Sequence, residues 1–303
     1  MRLLGSALLL AAALIAAPAH AQERAILGFG RIFNNDLLGD GQDRWRTGSY
    51  TWSLVHGTGW TGQRPESFGA LIDYRFHSEI IAPDRLNGTG SRSRLYAGIF
   101  SVGAHTHFRR GLLDYSLGGD LVITGPQTRI DDVQEWFHEL ISAPRVDQAT
   151  NQVGDNTHLQ GTAEVALPMR QTEALQFRPY AELQAGVENL VRVGGDIVFG
   201  EMMQDDLLLR DSVTGHIYRG TEGDVSGLAF VAGADMTWIS DSLYLPESGR
   251  ATLTEERMRY RAGVHWQPAP DLSFFYGMTY LSEEFDEQPE GQVLGSVKLN
   301  IYF

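Results

Sequence analysis

The residues best placed to do chemistry in this 303-residue chain lie in "TRIDDVQEWFHELI", Thr128 to Ile141, where Gln134 and His138 stand four positions apart. On a helix that spacing puts both side chains on one face, a turn apart. A histidine's ordinary pKa lies near neutrality, so it can take up and release a proton at working pH. Two further segments hold polar groups. "FGRIFNNDLLGD" supplies Asn34, Asn35 and Asp36, and "DRWRTGSYTW" supplies Asp43, Arg44 and Thr47. Taken singly, His138 reads as an interfacial histidine and "NND" as a polar turn. A carboxylate, amides, a hydroxyl and an imidazole become a reactive cluster only if the fold brings them to one place.

The elements that could do so are strands. In "MRYRAGVHW", Met258, Tyr260, Ala262, Val264 and Trp266 alternate with Arg259, Arg261, Gly263 and His265. "FRPYAELQAGV" and "LAFVAGADMTW" repeat the pattern, with one apolar face and one polar or small face. Twelve such strands are predicted, at roughly 25–36, 46–57, 67–82, 94–108, 111–125, 157–169, 174–188, 191–201, 226–244, 256–268, 271–285 and 291–303. A soluble sandwich would turn the apolar faces inward, and a transmembrane barrel would turn them to lipid. Three features favour the membrane: strands long enough to cross it when tilted, aromatics near strand ends (Tyr180, Trp238, Tyr244, Tyr260, Trp266, Tyr276, Tyr280), and the alternating ending "GSVKLNIYF" with Phe303 last. The expected fold is all-β, an antiparallel transmembrane barrel of twelve strands with one helix after strand five.

The first 21 residues read as a secretory signal peptide, with Arg2, an apolar run from Leu3 to Ala17, and Ala19-His20-Ala21 before the cut. The barrel is then expected over 22–303. There is no cysteine, so nothing but its own packing or a membrane holds the secreted chain. No later stretch approaches the roughly 20 apolar residues of a membrane helix. A net charge of −14 argues against nucleic acid as a partner. With a periplasmic N-terminus, odd strands run outward. Strand five ends at Gly125-Pro126, so the helix lies outside, at the same rim as Asn34, Asn35, Asp36, Asp43, Arg44 and Thr47. Thr128 and Asp131 suggest a capping-box start. Ile130, Val133, Trp136, Phe137, Leu140 and Ile141 form an apolar arc for barrel wall or lipid, bordered by a stripe of Asp131, Gln134 and His138. "RRG" at 109–111 and "PAPD" at 268–271 suit periplasmic turns. The alternation offers no reading of 203–225, which is long for a periplasmic link.

The ordered set of motifs resembles the lipid A 3′-O-deacylases of Gram-negative outer membranes, which are twelve-stranded barrels. Asn35-Asp36, "DRWRTGS" at 43–49, "SRLYAG" at 93–98, "GP" at 125–126 and Gln134…His138 match that family in order and approximate spacing. The resemblance implies an esterase that removes an ester-linked acyl chain of 3′-acyloxyacyl type from lipid A in the outer leaflet, working as a monomer. It implies His138 as general base toward water, Asp36 and Thr47 at a divalent cation, Ca²⁺, and Asn35 and Gln134 as orienting groups. The chain departs from the family at Arg46, where a tyrosine is usual, and at Gly48-Ser49. The family's basic residue after strand three has two candidates, Arg85 and Arg92.

Other constellations point elsewhere. His105 and His107 share one face of a strand, either a metal pair or a polar lumen face. "FHSE" at 76–79 is the sole adjacent Ser–His candidate for a serine phospholipase, but strand neighbours face opposite sides. Glu283, Glu284, Asp286 and Glu287 read as a solvated loop, or as acids bridging cations to lipopolysaccharide. A non-enzymatic barrel (pore, adhesin or structural protein) would share the alternation but leaves the rim cluster and helix without a reason.

Overall fold

The computed structural model describes residues 23–84, 94–141, 152–221, 225–246 and 251–301. The expected signal peptide and Phe303 lie outside these residues. The strands are β1 (Ala25–Asn35), β2 (Trp45–Gly57), β3 (Leu71–Ala82), β4 (Ala97–Arg110), β5 (Leu113–Thr124), β6 (Asn156–Ala166), β7 (Met169–Thr172), β8 (Leu175–Ala185), β9 (Glu188–Phe199), β10 (Leu208–Arg210), β11 (Ile217–Arg219), β12 (Gly227–Ser242), β13 (Glu256–Ala269), β14 (Leu272–Leu281) and β15 (Gln292–Ile301). Between β5 and β6 lies a helix, α1 (Ile130–Ile141).

Twelve antiparallel strands form the barrel. Each pairs with its neighbours round the ring, β6 closes on β8, and β1 closes on β15. The short β7 only extends the edge of β8. Closure leaves no long row of unpaired backbone groups facing lipid, which hydrocarbon would not satisfy. The outward positions of the alternating strands, such as Phe230, Trp238, Tyr260, Trp266, Tyr276, Tyr280 and Leu299, are exposed. The inward positions between them hold Asp235, Arg259, Arg261 and Lys298, all buried. This is the polarity of a membrane barrel, apolar outside and charged within.

Two aromatics expected in the interfacial girdle belong to the interior instead. Tyr180 points inward, its hydroxyl donating to Asp235 Oδ2 at 2.8 Å, with the Arg210 guanidinium 3.5 Å over its ring. Tyr244 is likewise buried, against Ile81, Ile99 and Val187.

The segment left without a reading is a hairpin inside the barrel. After β9 the chain turns inward rather than along the periplasmic edge, and β10 and β11 pair with each other alone. Met202, Met203, Leu207, Leu209, Ile217 and Tyr218 are buried against wall residues Ile32, Val55, Leu71, Val198, Val231 and Phe275. Arg210 of β10 is paired with wall carboxylates, Glu164 at 2.6 Å and Asp196 at 2.9 Å. Buried charges persist in a low-dielectric interior only when paired in this way.

Candidate active site

The rim cluster begins where β1 stops. A 3₁₀ turn, Asp36–Leu38, follows the strand, and Asn35 caps it by accepting from the Leu37 N–H at 2.9 Å. The Asn35 amide reaches across to β2, donating Nδ2 to the Thr47 carbonyl at 2.8 Å. Asp36 is thereby turned into the structure and is only 2% exposed. Its Oδ2 accepts the Arg44 N–H at 3.0 Å. Burial pushes its carboxyl up to about 8, and the nearby Asp43 and Asp40 charges push the same way against hydrogen bonds from Arg44 and Thr47.

The start of β2 is irregular in two places. Trp45 holds a left-handed backbone, φ 54°, uncommon for a bulky residue. Packing retains it: the ring is buried edge-on to Phe285 and lies under the Arg44 guanidinium at 4.0 Å. The β2–β3 ladder then shifts between Arg46 and Gly48, so Thr47 is the extra residue of a bulge. Bulges re-aim side chains, often beside active sites. Here Thr47 Oγ1 meets Asp43 Oδ1 at 2.7 Å, while Arg46 enters the lumen and pairs with Glu79 at 2.6 Å and with Glu284.

The helix supplies the remaining groups. Gly125, at φ 90°, and Pro126 turn the chain out of β5 into a 3₁₀ turn that precedes α1. Thr128 takes part in capping, its Oγ1 accepting from the Ile130 N–H at 3.4 Å. Asp131 does not complete a capping box, since its Oδ2 takes Gln152 Nε2 at 2.9 Å. Gly98 lets the helix lie close on the outer wall of β4, because a Cβ there would sit 2.2 Å from Ile130 Cγ2. Ile130 packs on Ala82 and Tyr96. Gln134 and His138 are buried toward the wall, while Val133 and Trp136 are 55% and 63% exposed on the far side. Of the two seats open to the apolar arc, these two residues take the lipid-facing one.

Asp43 joins the two halves. Its Oδ2 lies 3.0 Å from His138 Nε2, and its Oδ1 accepts from both Thr47 and Gln134 Nε2, the latter at 3.4 Å. Gln134 is held from the other end by Tyr96, whose hydroxyl donates to Oε1 at 3.0 Å. The cluster thus sits between α1 and the outer face of β2–β4. All five residues expected at the site, Asn35, Asp36, Thr47, Gln134 and His138, lie on this chain of contacts. Asp43 and Tyr96 are the members without an expected role. Both stand inside the motifs "DRWRTGS" and "SRLYAG", but an acid opening a strand reads as solvated until a helix from another part of the chain covers it.

Other expectations resolve differently. Arg85 and Arg92 lie outside the described residues. Arg94, just beyond, is buried and pairs with Glu284. Glu284 is therefore no part of a solvated loop; it joins Arg46, Arg94 and Arg257 in the barrel mouth. Asp286 and Glu287 accept from Thr254 and Thr252 at 2.9 and 2.8 Å. His105 pairs with Asp120 at 3.1 Å and His107 with Ser116 at 3.0 Å, both inside the lumen. His77 meets Thr51, not Ser78, at 2.9 Å.

Among the described residues no three His, Cys, Asp or Glu side chains stand together as a metal cage. The rim offers something sparser: a buried carboxylate, Asp36, with a second acid and a hydroxyl beside it and, among the described residues, no cationic side chain bonded to it. A hard cation accepting carboxylate, hydroxyl, carbonyl and water oxygens fits such a donor set.

Residues 8–303 match the family model described as Outer membrane protein LpxR. Among solved structures, LpxR from Salmonella typhimurium superposes with a TM-score of 0.73 at 15% identity, covering 91% of this chain and 100% of that one. The KdgM porin gives 0.41 at 6% identity, covering 91% and 99%, and the translocator domain of the Neisseria meningitidis autotransporter NalP gives 0.38 at 10%, covering 97% and 95%. No curated protein matches by sequence. The chain belongs to the LpxR family of outer-membrane lipid A deacylases.

Proposed function

We propose that this LpxR-family hydrolase cleaves the ester at the 3′ oxygen of lipid A that carries an acyloxyacyl chain, using a water activated by His138 with Ca²⁺ held at Asp36. The family assigns lipid A 3′-O-deacylation. The observation that carries the finer reading is Asp43, one carboxylate that joins His138, Gln134 and Thr47 beside the buried Asp36.

Asp43 Oδ2, 3.0 Å from His138 Nε2, orients the imidazole as the base. The water oxygen bonds to the acyl carbon as its proton passes to the imidazole. The carbon–oxygen bond to the sugar then breaks, and that proton goes to the departing 3′ oxygen. Asp43 offsets the imidazolium charge in between and fixes the ring's tautomer and direction. Gln134, held by Tyr96, keeps its amide beside the same carboxylate. Asn35 and Asp36 come from the strand end, with Thr47 opposite, so Asp36 and Thr47 are the side chains that would hold the cation. Bound there, Ca²⁺ supplies positive charge for the carbonyl oxygen as it becomes an oxyanion. The site faces the hydrocarbon side of the outer rim, where an acyl chain can arrive without leaving the membrane. Residues 1–21 are, on this reading, the signal peptide removed during export, and the barrel works as a monomer.

The test is mass spectrometry of lipid A incubated with purified protein in detergent, with Ca²⁺ or with chelator, beside His138→Ala. Loss of one acyloxyacyl unit that both chelator and substitution abolish is expected. Unchanged lipid A with folded, calcium-loaded protein would overturn the reading, and phospholipids would be the next substrates tried.

A further inference from the structure

Asp211, at the tip of the lumen hairpin, is fully buried and carries no part of the chemistry above. It nevertheless collects four hydrogen bonds. Two come from its own turn, Thr214 N–H at 2.8 Å and Thr214 Oγ1 at 2.7 Å. Two come from the barrel wall, Asn34 Nδ2 at 3.1 Å on β1 and Thr51 Oγ1 at 3.1 Å on β2. Asn34 is the last inward-facing residue of β1 before Asn35 and Asp36. Its other contacts run sideways: Nδ2 to Ser49 Oγ on β2 at 2.8 Å, and Oδ1 from Ser296 Oγ on β15 at 2.7 Å.

The seam of the barrel gives this contact its weight. Among the described residues, β1 pairs with β15 through Phe33, Asn34 and Asn35 only, whereas β1 pairs with β2 along its whole length. The end of β1 that bears Asp36 is therefore also the short joint where the ring closes. Few ladder bonds set its register there, and the Asn34 side chain ties β2, β15 and the hairpin at one point. From Gly200 the hairpin crosses the lumen to that point, braced by Arg210 on Glu164 and by Arg259, whose Nη1 donates to the Ser212 and Val213 carbonyls at 2.8 and 2.9 Å.

We propose that Asp211 is a positioning residue for the rim cluster, holding Asn34 from inside the lumen so that Asn35 and Asp36 present their side chains to Thr47 and the start of β2. The proposal rests on the catalytic reading above for its functional consequence, but not for the clamp itself. An acceptor is what the site requires. Asp211→Asn can keep its carbonyl oxygen toward Asn34 and Thr214 and offer its amide to Thr51. Asp211→Leu keeps the branched shape at a larger volume but has no acceptor, so Asn34 Nδ2 is left with Ser49 alone and Thr51 Oγ1 with His77 alone.

Three measurements on full-length folded protein in detergent test this: amide hydrogen exchange, Ca²⁺ titration and lipid A turnover. Asp211→Leu is expected to speed exchange at 33–37 while leaving β8 and β9 as in wild type. It should also weaken Ca²⁺ binding about tenfold and lower kcat/KM by about 10–100-fold, as loss of an outer support typically does. Asp211→Asn should restore most of each. Asp206→Asn, at the hairpin's base beside Arg219, should change none. Unaltered exchange at 33–37 in Asp211→Leu would overturn the proposal. So would faster exchange spread evenly over the barrel, since the residue would then serve the fold alone. If wild type neither binds Ca²⁺ nor deacylates lipid A, the catalytic reading fails while exchange at 33–37 still decides the clamp.

Discussion

His138 takes its direction from one carboxylate, and that carboxylate is shared. Asp43 serves the imidazole through Oδ2, and Thr47 and Gln134 through Oδ1. His138→Ala, which removes the proposed base, should lower turnover by about 10²–10⁴-fold in a steady-state lipid A assay, with the barrel still folded. Asp43→Asn should cost about 10–100-fold, mostly in kcat, because the ring loses its anion but keeps a neighbour of the same shape. A loss confined to KM would show that Asp43 binds substrate and does not support the base. Asp36 sets the pH dependence. In the metal-free protein its folded pKa, about 8, exceeds the ordinary 3.8. The folded state therefore holds a proton that the unfolded chain has released. Stability from this group is full below the unfolded value and is lost as pH rises through about 8. A cation needs the carboxylate, so binding must expel that proton. Apparent Ca²⁺ affinity should rise about tenfold per pH unit up to about 8 and then level off. Calorimetry in buffers of different ionisation enthalpy should register the released proton, and a pH-independent affinity would mean that Asp36 is not the ligand.

At the scale of elements, the site is an interface between α1 and a wall of strands. Close approach depends on Gly98, where a side chain would meet Ile130 at 2.2 Å and the Thr128 hydroxyl at 2.7 Å. Gly98→Val should push the helix outward and separate Gln134 and His138 from Asp43. Activity should fall by at least about tenfold while the strands stay paired, since a misplacement of about 1 Å can cost on the order of 10²-fold. Circular dichroism and gel mobility would report an intact barrel. Full activity in Gly98→Val would show that the helix does not need its close seat. The left-handed Trp45 and the Thr47 bulge do the corresponding work on the strand side, sending Arg46 inward while Thr47 stays with Asp43.

At the scale of the molecule, the hairpin occupies much of the lumen, beside a cavity of about 150 Å³ lined by Glu79, Arg192 and Glu284. The hairpin and the wall arginines and carboxylates pack much of the lumen, and the candidate site lies between α1 and the outer face of the strands. A pore would need the reverse. Purified protein in planar bilayers should accordingly show no steady ion conductance, and stable open currents would contradict a seated hairpin. The ion pairs of Arg210 with the barrel wall are integral to the fold. Arg210→Met leaves Glu164 and Asp196 short of a partner and should destabilise the barrel by about 3–5 kcal/mol in urea titrations followed by gel shift.

Much of this was determined by sequence alone. Period-two alternation is local, so the twelve strands, the face each turns outward and the helix over Ile130–Ile141 could be read along the chain. The motifs also singled out Asn35, Asp36, Thr47, Gln134 and His138, which the fold brings to one rim. Only the tertiary structure decided the rest. Asp43 acquires its role because a helix about ninety residues away folds over it, and a single acid at a strand start has no local signature of that. The hairpin between β9 and β12 shows no two-sided alternation because the lumen surrounds it and no face meets lipid. Tyr180 and Glu284 looked like girdle and loop because position along a strand does not say whether a polar tip finds an arginine inside. Pairing across the barrel settles that, and it is set by closure of the ring rather than by neighbours in sequence.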